Sequence, residues 1–440
     1  MRSIDQLKKL TPFYVAHRGS GDNWTEHTAL AYGRSLEAGA HAIEVSVNRT
    51  RDGVFVCQHD SNLKRLTGTD AEIEQLTWNE VSQFSNDARE WLGPAADLVP
   101  ISRLDEVLDA FAGDNVIFLE DKTGKHTSDL LDIMDAYPDA AKHFVWKQWA
   151  AGRQVTQASE RGYTTWGYFT SEIHERIDEL SEHFDMIGIH HSAPDEIVRL
   201  AVETGIPVIV WEVHRRSLRD HLATLGVQGM MCSNIPYVMS QKPRATKDSY
   251  SSGLRAAGDL PWSVDNGWSH QPTLSEKDAS VTLDKDEIQS YGMGSLSPVA
   301  STTYVVSLKI QWPDAVPDGS AAAGIAFCLE SDAPYRIGVP SETSGYHALL
   351  RANGSLELIL RSAGEDNGTS LGVRSTSPPV AGQGITLVVR VSPTDVRVSR
   401  DADLSSEVSA NDTAHRGGYI ALCKNYPTSE PAAFSEILIE

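Results

Sequence analysis

The sequence predicts an α/β domain of repeated strand–helix units followed by an all-β antiparallel domain, and three observations carry that expectation. From residue 13 to about 240, short apolar strands alternate with amphipathic helical segments, the pattern of parallel βα units. Beyond residue 261 the texture changes to alternating strands divided by Ser, Gly, Asp and Pro turns. A length of 440 residues exceeds one ordinary core and fits two or three domains.

The first domain offers candidate strands at 14–17, 42–47, 116–120, 144–148, 165–169, 186–190, 208–212 and 229–232. Each is followed by a segment with helical spacing. In 27–38, Leu30, Tyr32, Leu36 and Ala38 fall on or near one face; in 173–183, Ile173, Ile177 and Leu180, with Phe184 just after, recur every three or four residues. Gly39 and Gly205 stand where a glycine just past the last turn ends a helix. The second strand runs into Arg51-Asp52-Gly53, a hairpin signal, and a further apolar run at 54–57. Residues 61–100 read as an excursion over the strand ends, with a helix near 77–84 opened by a Thr77/Glu80 capping box.

The first domain is expected over 1–240. Residues 241–261 have no apolar period and read as a linker, and 262–440 as the second domain. Its strands are expected at 280–283, 304–312, 324–329, 347–351, 356–361, 385–391, 396–399, 419–424 and 434–439, an antiparallel sandwich of jelly-roll type.

A formal charge of -22 sets a repulsive field against nucleic-acid backbones and anionic lipid, although an acidic surface can still surround a local phosphate pocket. No apolar run approaches the roughly 20 residues of a membrane span. Residues Met1 to Leu10 lead into Thr-Pro-Phe-Tyr-Val-Ala-His rather than an apolar core and cleavage site, so a cytoplasmic protein without a secretory signal is expected. Cys57, Cys232, Cys328 and Cys423 lie far apart with no CxxC spacing and read as small buried hydrophobes, not zinc ligands.

Chemistry concentrates between residues 15 and 60, where His17, Arg18, Glu26, Glu44 and His59 sit at the ends of short apolar runs. A barrel or an open parallel sheet presents catalytic side chains at such places. Trp146, Lys147, Trp149, Trp166, Tyr168, His190, His191, Trp211 and Glu212 also fall near strand ends; because alternate residues of a strand face opposite ways, only some of them, and only one of His190 and His191, can line a pocket. Asp60 reads as a residue that fixes the loop beside His59.

The first domain resembles the glycerophosphodiester phosphodiesterase family. The matching pieces are His17-Arg18-Gly19, Glu26 with Thr28, Glu44, Thr50-Arg51-Asp52-Gly53, His59-Asp60, Leu63, Arg65, Glu120-Asp121-Lys122 and Val210-Trp211-Glu212-Val213, which cover about 240 residues in order. The resemblance implies a (β/α)8 TIM barrel. It implies His17 and His59 as the acid–base pair, Arg18 and Lys122 as phosphate-binding cations, and Glu44 and Glu120 as ligands of a divalent cation, Mg2+ or Ca2+. Glu26, Ser46 and Trp211 are further candidates for the pocket. Two histidines suit a reaction in which one oxygen loses a proton and another gains one.

Ser46 departs from the family, which has Asp there, on the same strand face as Glu44. Three outcomes stay open: a cation held more weakly by Glu44, Glu120 and water; compensation by Asn48 or a carboxylate from elsewhere; or a barrel that binds a phosphodiester without cleaving it. His27 and His214 replace two asparagines of the family. The implied function is a phosphodiester hydrolase acting on glycerophosphodiesters or on a glycerol-phosphate polymer such as teichoic acid. The alternatives are a phosphodiester- or glycan-binding module, as in a phage tail protein carried on a virion, and a phospholipase D-like lyase stopping at a cyclic phosphate. The second domain resembles concanavalin-like sandwiches in strand texture alone, which implies carbohydrate as a possible ligand.

Overall fold

In the computed structural model, which describes residues 3–261, 272–284, 290–334, 338–401, 403–425 and 429–440, eight parallel strands of the N-terminal half close into a barrel. These are β1 (Phe13–Ala16), β2 (Ala42–Arg49), β3 (Val116–Asp121), β4 (Phe144–Trp149), β5 (Thr164–Phe169), β6 (Met186–His190), β7 (Val208–Val213) and β8 (Gly229–Cys232). Neighbours in the chain pair in register, and β1 pairs with both β8 and β2, so the sheet has no free edge among these strands. The short strand Phe55–Cys57 folds back antiparallel on β2 through the expected Arg51-Asp52-Gly53 turn, with Gly53 at φ 91°. This is a (β/α)8 TIM barrel, as the sequence predicts.

The barrel interior is apolar at its lower end. Phe13, Val15, Ala42, Phe118, Val145 and Trp166 form one buried cluster with Met186, Ile209 and Met231, and Ile4 and Leu7 of a short first helix join it. Gly188 on β6 makes room for the largest of these: a Cβ there would stand 2.3 Å from Trp166 Cζ2. Both faces of β2 are buried, which explains its near-continuous apolar run.

The helices follow the sequence less evenly. Thr28 caps Ala29–Glu37 by accepting from Ala31 N, and Gly39 at φ 108° follows its end. The expected helix over 173–183 is instead three short turns, Ser171–Arg176, Ile177–Leu180 and Ser181–His183, with Ile173 (φ -129°, ψ 18°) and Arg176 (φ -105°, ψ 12°) off helical geometry. Ile173, Ile177, Leu180 and Phe184 are buried all the same, so the periodicity marked the buried face and not one continuous helix. The Thr77/Glu80 capping box is formed, but its helix stops at Val81.

The contacts divide the chain into one unit of Met1–Ala88 with Asp97–Met239, and a second of Arg89–Ala96 with Ser240–Glu440. The second unit holds two antiparallel sheets of seven strands each among the described residues. Strand Tyr304–Gln311 shows the alternation that builds it: Tyr304, Val306, Leu308 and Ile310 are buried and the residues between them half-buried. These side chains share a core with Ile325, Phe327, Tyr346, Leu358, Leu387 and Phe434. The expected start of this domain at 262 lies outside the described residues. Much of 241–261, which reads as a linker, is tied into the second unit: Tyr250 is buried in its core and Leu260–Pro261 pairs with Ser290–Gly292. Tyr250 and Ala245 against the core, backbone hydrogen bonds and the Asp248 and Asp259 carboxylates, which accept from Ile437 N and Ser295 N, do this, and none of them leaves an apolar period in the sequence.

All four cysteines are buried free thiols. No described helix is long and apolar enough to cross a membrane.

Candidate active site

At the end of β1 the chain turns sharply through His17-Arg18-Gly19, with Arg18 at φ 52° and Gly19 at φ 79°. The turn aims the Arg18 backbone N–H at Glu44 Oε2, 2.8 Å away, and leaves His17 and Arg18 at the C-terminal mouth of the barrel. A cavity of about 400 Å3 opens there. His17, Arg18, His59, Lys122 and Lys147 form its polar side; Trp166, Tyr168 and Trp211 form an aromatic wall, with the Tyr168 and Trp211 rings 5.6 Å apart. His190, Ser192 and Glu212 complete the rim. Glu26, Glu44, Ser46 and Glu120 are buried and do not line it.

Beneath the cavity lies a compact charge cluster. Lys147 Nζ is 2.6 Å from Glu44 Oε1 and 2.7 Å from Glu120 Oε2. The Ser46 hydroxyl lies 2.7 Å from Glu44 Oε1 and 3.1 Å from Glu120 Oε2 and donates its one hydrogen between them. Tyr168 donates its hydroxyl to Glu120 Oε1 at 2.8 Å, and Lys122 Nζ stands 3.3 Å from the same oxygen. Burial by itself would raise both carboxyls; the Lys147 ammonium, with its neighbours, holds Glu44 well below its ordinary value and Glu120 at about 2. Burial likewise opposes the charge on Lys147, but the two carboxylates outweigh it and raise its pKa. Asn48 is engaged elsewhere, donating to the carbonyls of Gln58 and Asp60 at 2.9 and 3.0 Å.

The two histidines are held differently. His17 Nδ1 is 3.0 Å from Ser233 Oγ and 3.8 Å from Glu212 Oε1, and burial pushes its pKa down to about 4. His59 Nδ1 lies 2.7 Å from Asp60 Oδ1, which makes Nδ1 the donor and fixes the tautomer; burial and Arg18 lower its pKa. Asp60 also accepts from Arg65 Nε at 2.6 Å, while the Arg65 fork grips Glu26. His27, buried, meets the Tyr32 hydroxyl at 2.8 Å. His214 bridges two acids, with Nδ1 2.7 Å from Asp22 and Nε2 3.4 Å from Glu212. Those carboxylates overcome burial and raise it to about 10.

The chain matches the family described as glycerophosphoryl diester phosphodiesterase across residues 17–235. That range holds every residue of the cavity and of the cluster beneath it. Residues 17–235 form a domain of the glycerophosphoryl diester phosphodiesterase family.

Among curated relatives of this family, a Mycobacterium tuberculosis protein named as a probable glycerophosphodiester phosphodiesterase is 50% identical over 84 residues, 19% of this chain and 31% of that protein. The chain thus spans under a third of this relative's length. A glycerophosphodiester phosphodiesterase of Caldanaerobacter subterraneus is 23% identical over 234 residues, 49% of this chain and 92% of its own. Among solved structures, a phosphodiesterase of Oleispira antarctica in complex with the product sn-glycerol-3-phosphate is similar at 19% identity and a TM-score of 0.45, covering 52% of this chain and 96% of that one. The family match ends at residue 235 and does not reach Ser240–Glu440 of the second unit.

Members of the family generally depend on a divalent cation. The residues present here do not fit one. Glu44 and Glu120 are in place, but Ser46 supplies a neutral hydroxyl, and the point between the two carboxylates is held by the Lys147 ammonium. A second cation against the same oxygens would meet that ammonium in a buried site. Among the described residues no group of three or more His, Cys, Asp or Glu is arranged to hold a metal ion.

The sequence placed Lys147 near the mouth without giving it a part in the charge cluster. Its signal is alternation: Lys147 follows buried Val145 on the inward face of β4, whereas Trp146 donates to Gln148 away from the cavity. Thr170, Ser171, His174 and Ser192 also line the cavity, from the loops after β5 and β6, and no pattern in the sequence marks them.

Proposed function

We propose that the barrel cleaves phosphodiesters whose alcohol carries a neighbouring hydroxyl, either small glycerophosphodiesters or a glycerol-phosphate polymer. The observation that supports this most is one cavity in which two imidazoles, His17 and His59, stand beside Arg18, Lys122 and Lys147. One histidine, as the free base, takes the proton of the attacking hydroxyl as its oxygen bonds to phosphorus; the other, carrying a second proton in the complex with the anionic phosphodiester, gives it to the departing oxygen as the P–O bond breaks and is left neutral. The product is an alcohol and a cyclic phosphate. Water then opens the ring with the two roles exchanged, giving glycerol 3-phosphate.

Each ring engages the protein through Nδ1, which leaves Nε2 for substrate. Arg18 keeps a buried Nε–H without a partner among the described residues, a donor for a non-bridging phosphoryl oxygen. The aromatic wall of Trp166, Tyr168 and Trp211 offers apolar faces to the glycerol or alcohol portion.

Phosphorus NMR of the full chain with glycerophosphocholine and with a teichoic-acid polymer, in Mg2+, Ca2+ or chelator, tests this reading. Glycerol 3-phosphate or shortened polymer is the expected product. A cyclic phosphate that persists would make the enzyme a lyase. Binding of either ligand without turnover under any condition would make the barrel a recognition module and end the hydrolase reading.

A further inference from the structure

We propose that Lys147 is this barrel's built-in counter-cation, occupying the point between Glu44 and Glu120 that a divalent ion would take, so that the site handles its phosphodiester without metal. The catalytic half of this inference rests on the function proposed above; the cation-binding half stands without it.

The geometry argues for replacement and not for chance pairing. A lysine ammonium has three donors. Two are spent on Glu44 and Glu120, at 2.6 and 2.7 Å, and Lys147 is also one of the residues lining the cavity, so the third is available to a phosphoryl oxygen. The ammonium lies 5.7 Å from the centroids of both Trp166 and Tyr168, whose electron-rich faces favour a cation there. The Arg18 backbone N–H on Glu44 Oε2 and the Tyr168 hydroxyl on Glu120 Oε1 satisfy the remaining carboxylate oxygens, and the Ser46 hydroxyl lies against the two that Lys147 holds, which closes the cluster. Charge is conserved as well. Three carboxylates around a divalent ion carry a net -1, and two carboxylates with one ammonium carry the same, so a phosphate above the cluster meets a similar field. Ser46 and Lys147 therefore balance each other: Asp at position 46, or a neutral side chain at position 147, would each make the buried charge more negative by one. An ammonium cannot act as a Lewis acid; it serves through a charge-assisted hydrogen bond to the phosphoryl oxygen.

Titrating Mn2+ into the full chain and following free Mn2+ by electron paramagnetic resonance tests the first half. Wild type should show no site tighter than about 1 mM, whereas the double variant Ser46→Asp, Lys147→Met should gain one at least about 100-fold tighter. A stoichiometric Mn2+ site in wild type that disappears in Glu44→Gln would overturn the proposal, and so would a folded double variant that binds no more Mn2+ than wild type. The second half is read from turnover: after exhaustive chelation wild type should keep its rate within about twofold, and a larger loss restored by Mg2+ or Ca2+ would overturn it. If no phosphodiester is cleaved under any condition, the activity reading fails, and the Mn2+ titration still decides whether Lys147 holds the cation's place.

Discussion

Arg65 grips Glu26 with both arms of its guanidinium, Nη1 3.0 Å from Oε2 and Nη2 2.7 Å from Oε1. Arg18 stands 3.4 Å from the same two oxygens, so Glu26 is shared by a structural arginine and one that faces the cavity. Glu26 is 1% exposed, and without Arg65 its charge would draw Arg18 inward. Arg65→Ala should cost about 2–3 kcal/mol, less than for a fully buried pair because Arg65 is partly exposed. It should also weaken phosphate-ligand binding several-fold. Thermal melts and calorimetry would check both effects, and unchanged affinity would detach Arg65 from the site.

His17→Ala and His59→Ala should each slow phosphodiester cleavage by about 100-fold or more. Asp60→Asn should act through His59: its amide no longer selects the tautomer that leaves Nε2 as acceptor, so the rate should fall while binding holds. Steady-state kinetics on glycerophosphocholine separates the effects, and unaltered rates in both histidine variants would remove them as acid and base.

Stability should peak near neutral pH. His214 is raised from 6.5 to about 10 by Asp22 and Glu212 against the effect of burial, so its contribution is complete below 6.5 and is lost as pH rises through 10. His17 is lowered from 6.5 to about 4, chiefly by burial, so its neutral form favours the fold above 6.5 and the folded state loses ground as pH falls toward 4. The difference in melting temperature between wild type and His214→Asn should therefore shrink as pH rises from 6.5 to 10. A constant difference across that range would contradict the assignment of a protonated His214.

Gly188→Ala should lower stability by about 1–3 kcal/mol, the range of overpacked cores, because the added Cβ would stand 2.3 Å from Trp166. Trp166 reaches from the lower core to the cavity wall, so the near-ultraviolet circular dichroism of the barrel should change with it. An unchanged melting temperature would show that Trp166 can move without cost.

The strands were legible because burial on both faces of a parallel sheet demands short apolar runs, and each expected run of the first domain is a barrel strand. Less legible were segments whose order comes from scattered contacts without a period. Tyr250 holds part of a polar stretch to the second unit's core, and three short turns replace what the spacing of Ile173, Ile177 and Leu180 presents as one helix. His17, Arg18, His59, Lys122 and Trp211 were readable as a set, and the fold brings all of them to one cavity.

By itself the sequence determined the run of eight strand–helix units, and its resemblance to the family marked the two histidines, the cations around them and the serine at 46 where the family has Asp. It could not determine what that serine means, because Ser46 on β2 and Lys147 on β4 are separated by 101 positions in the chain. Only closure of the barrel sets the Lys147 ammonium between Glu44 and Glu120. The physical reason is that a charge's effect depends on distance and burial, which three-dimensional packing sets and residue order does not.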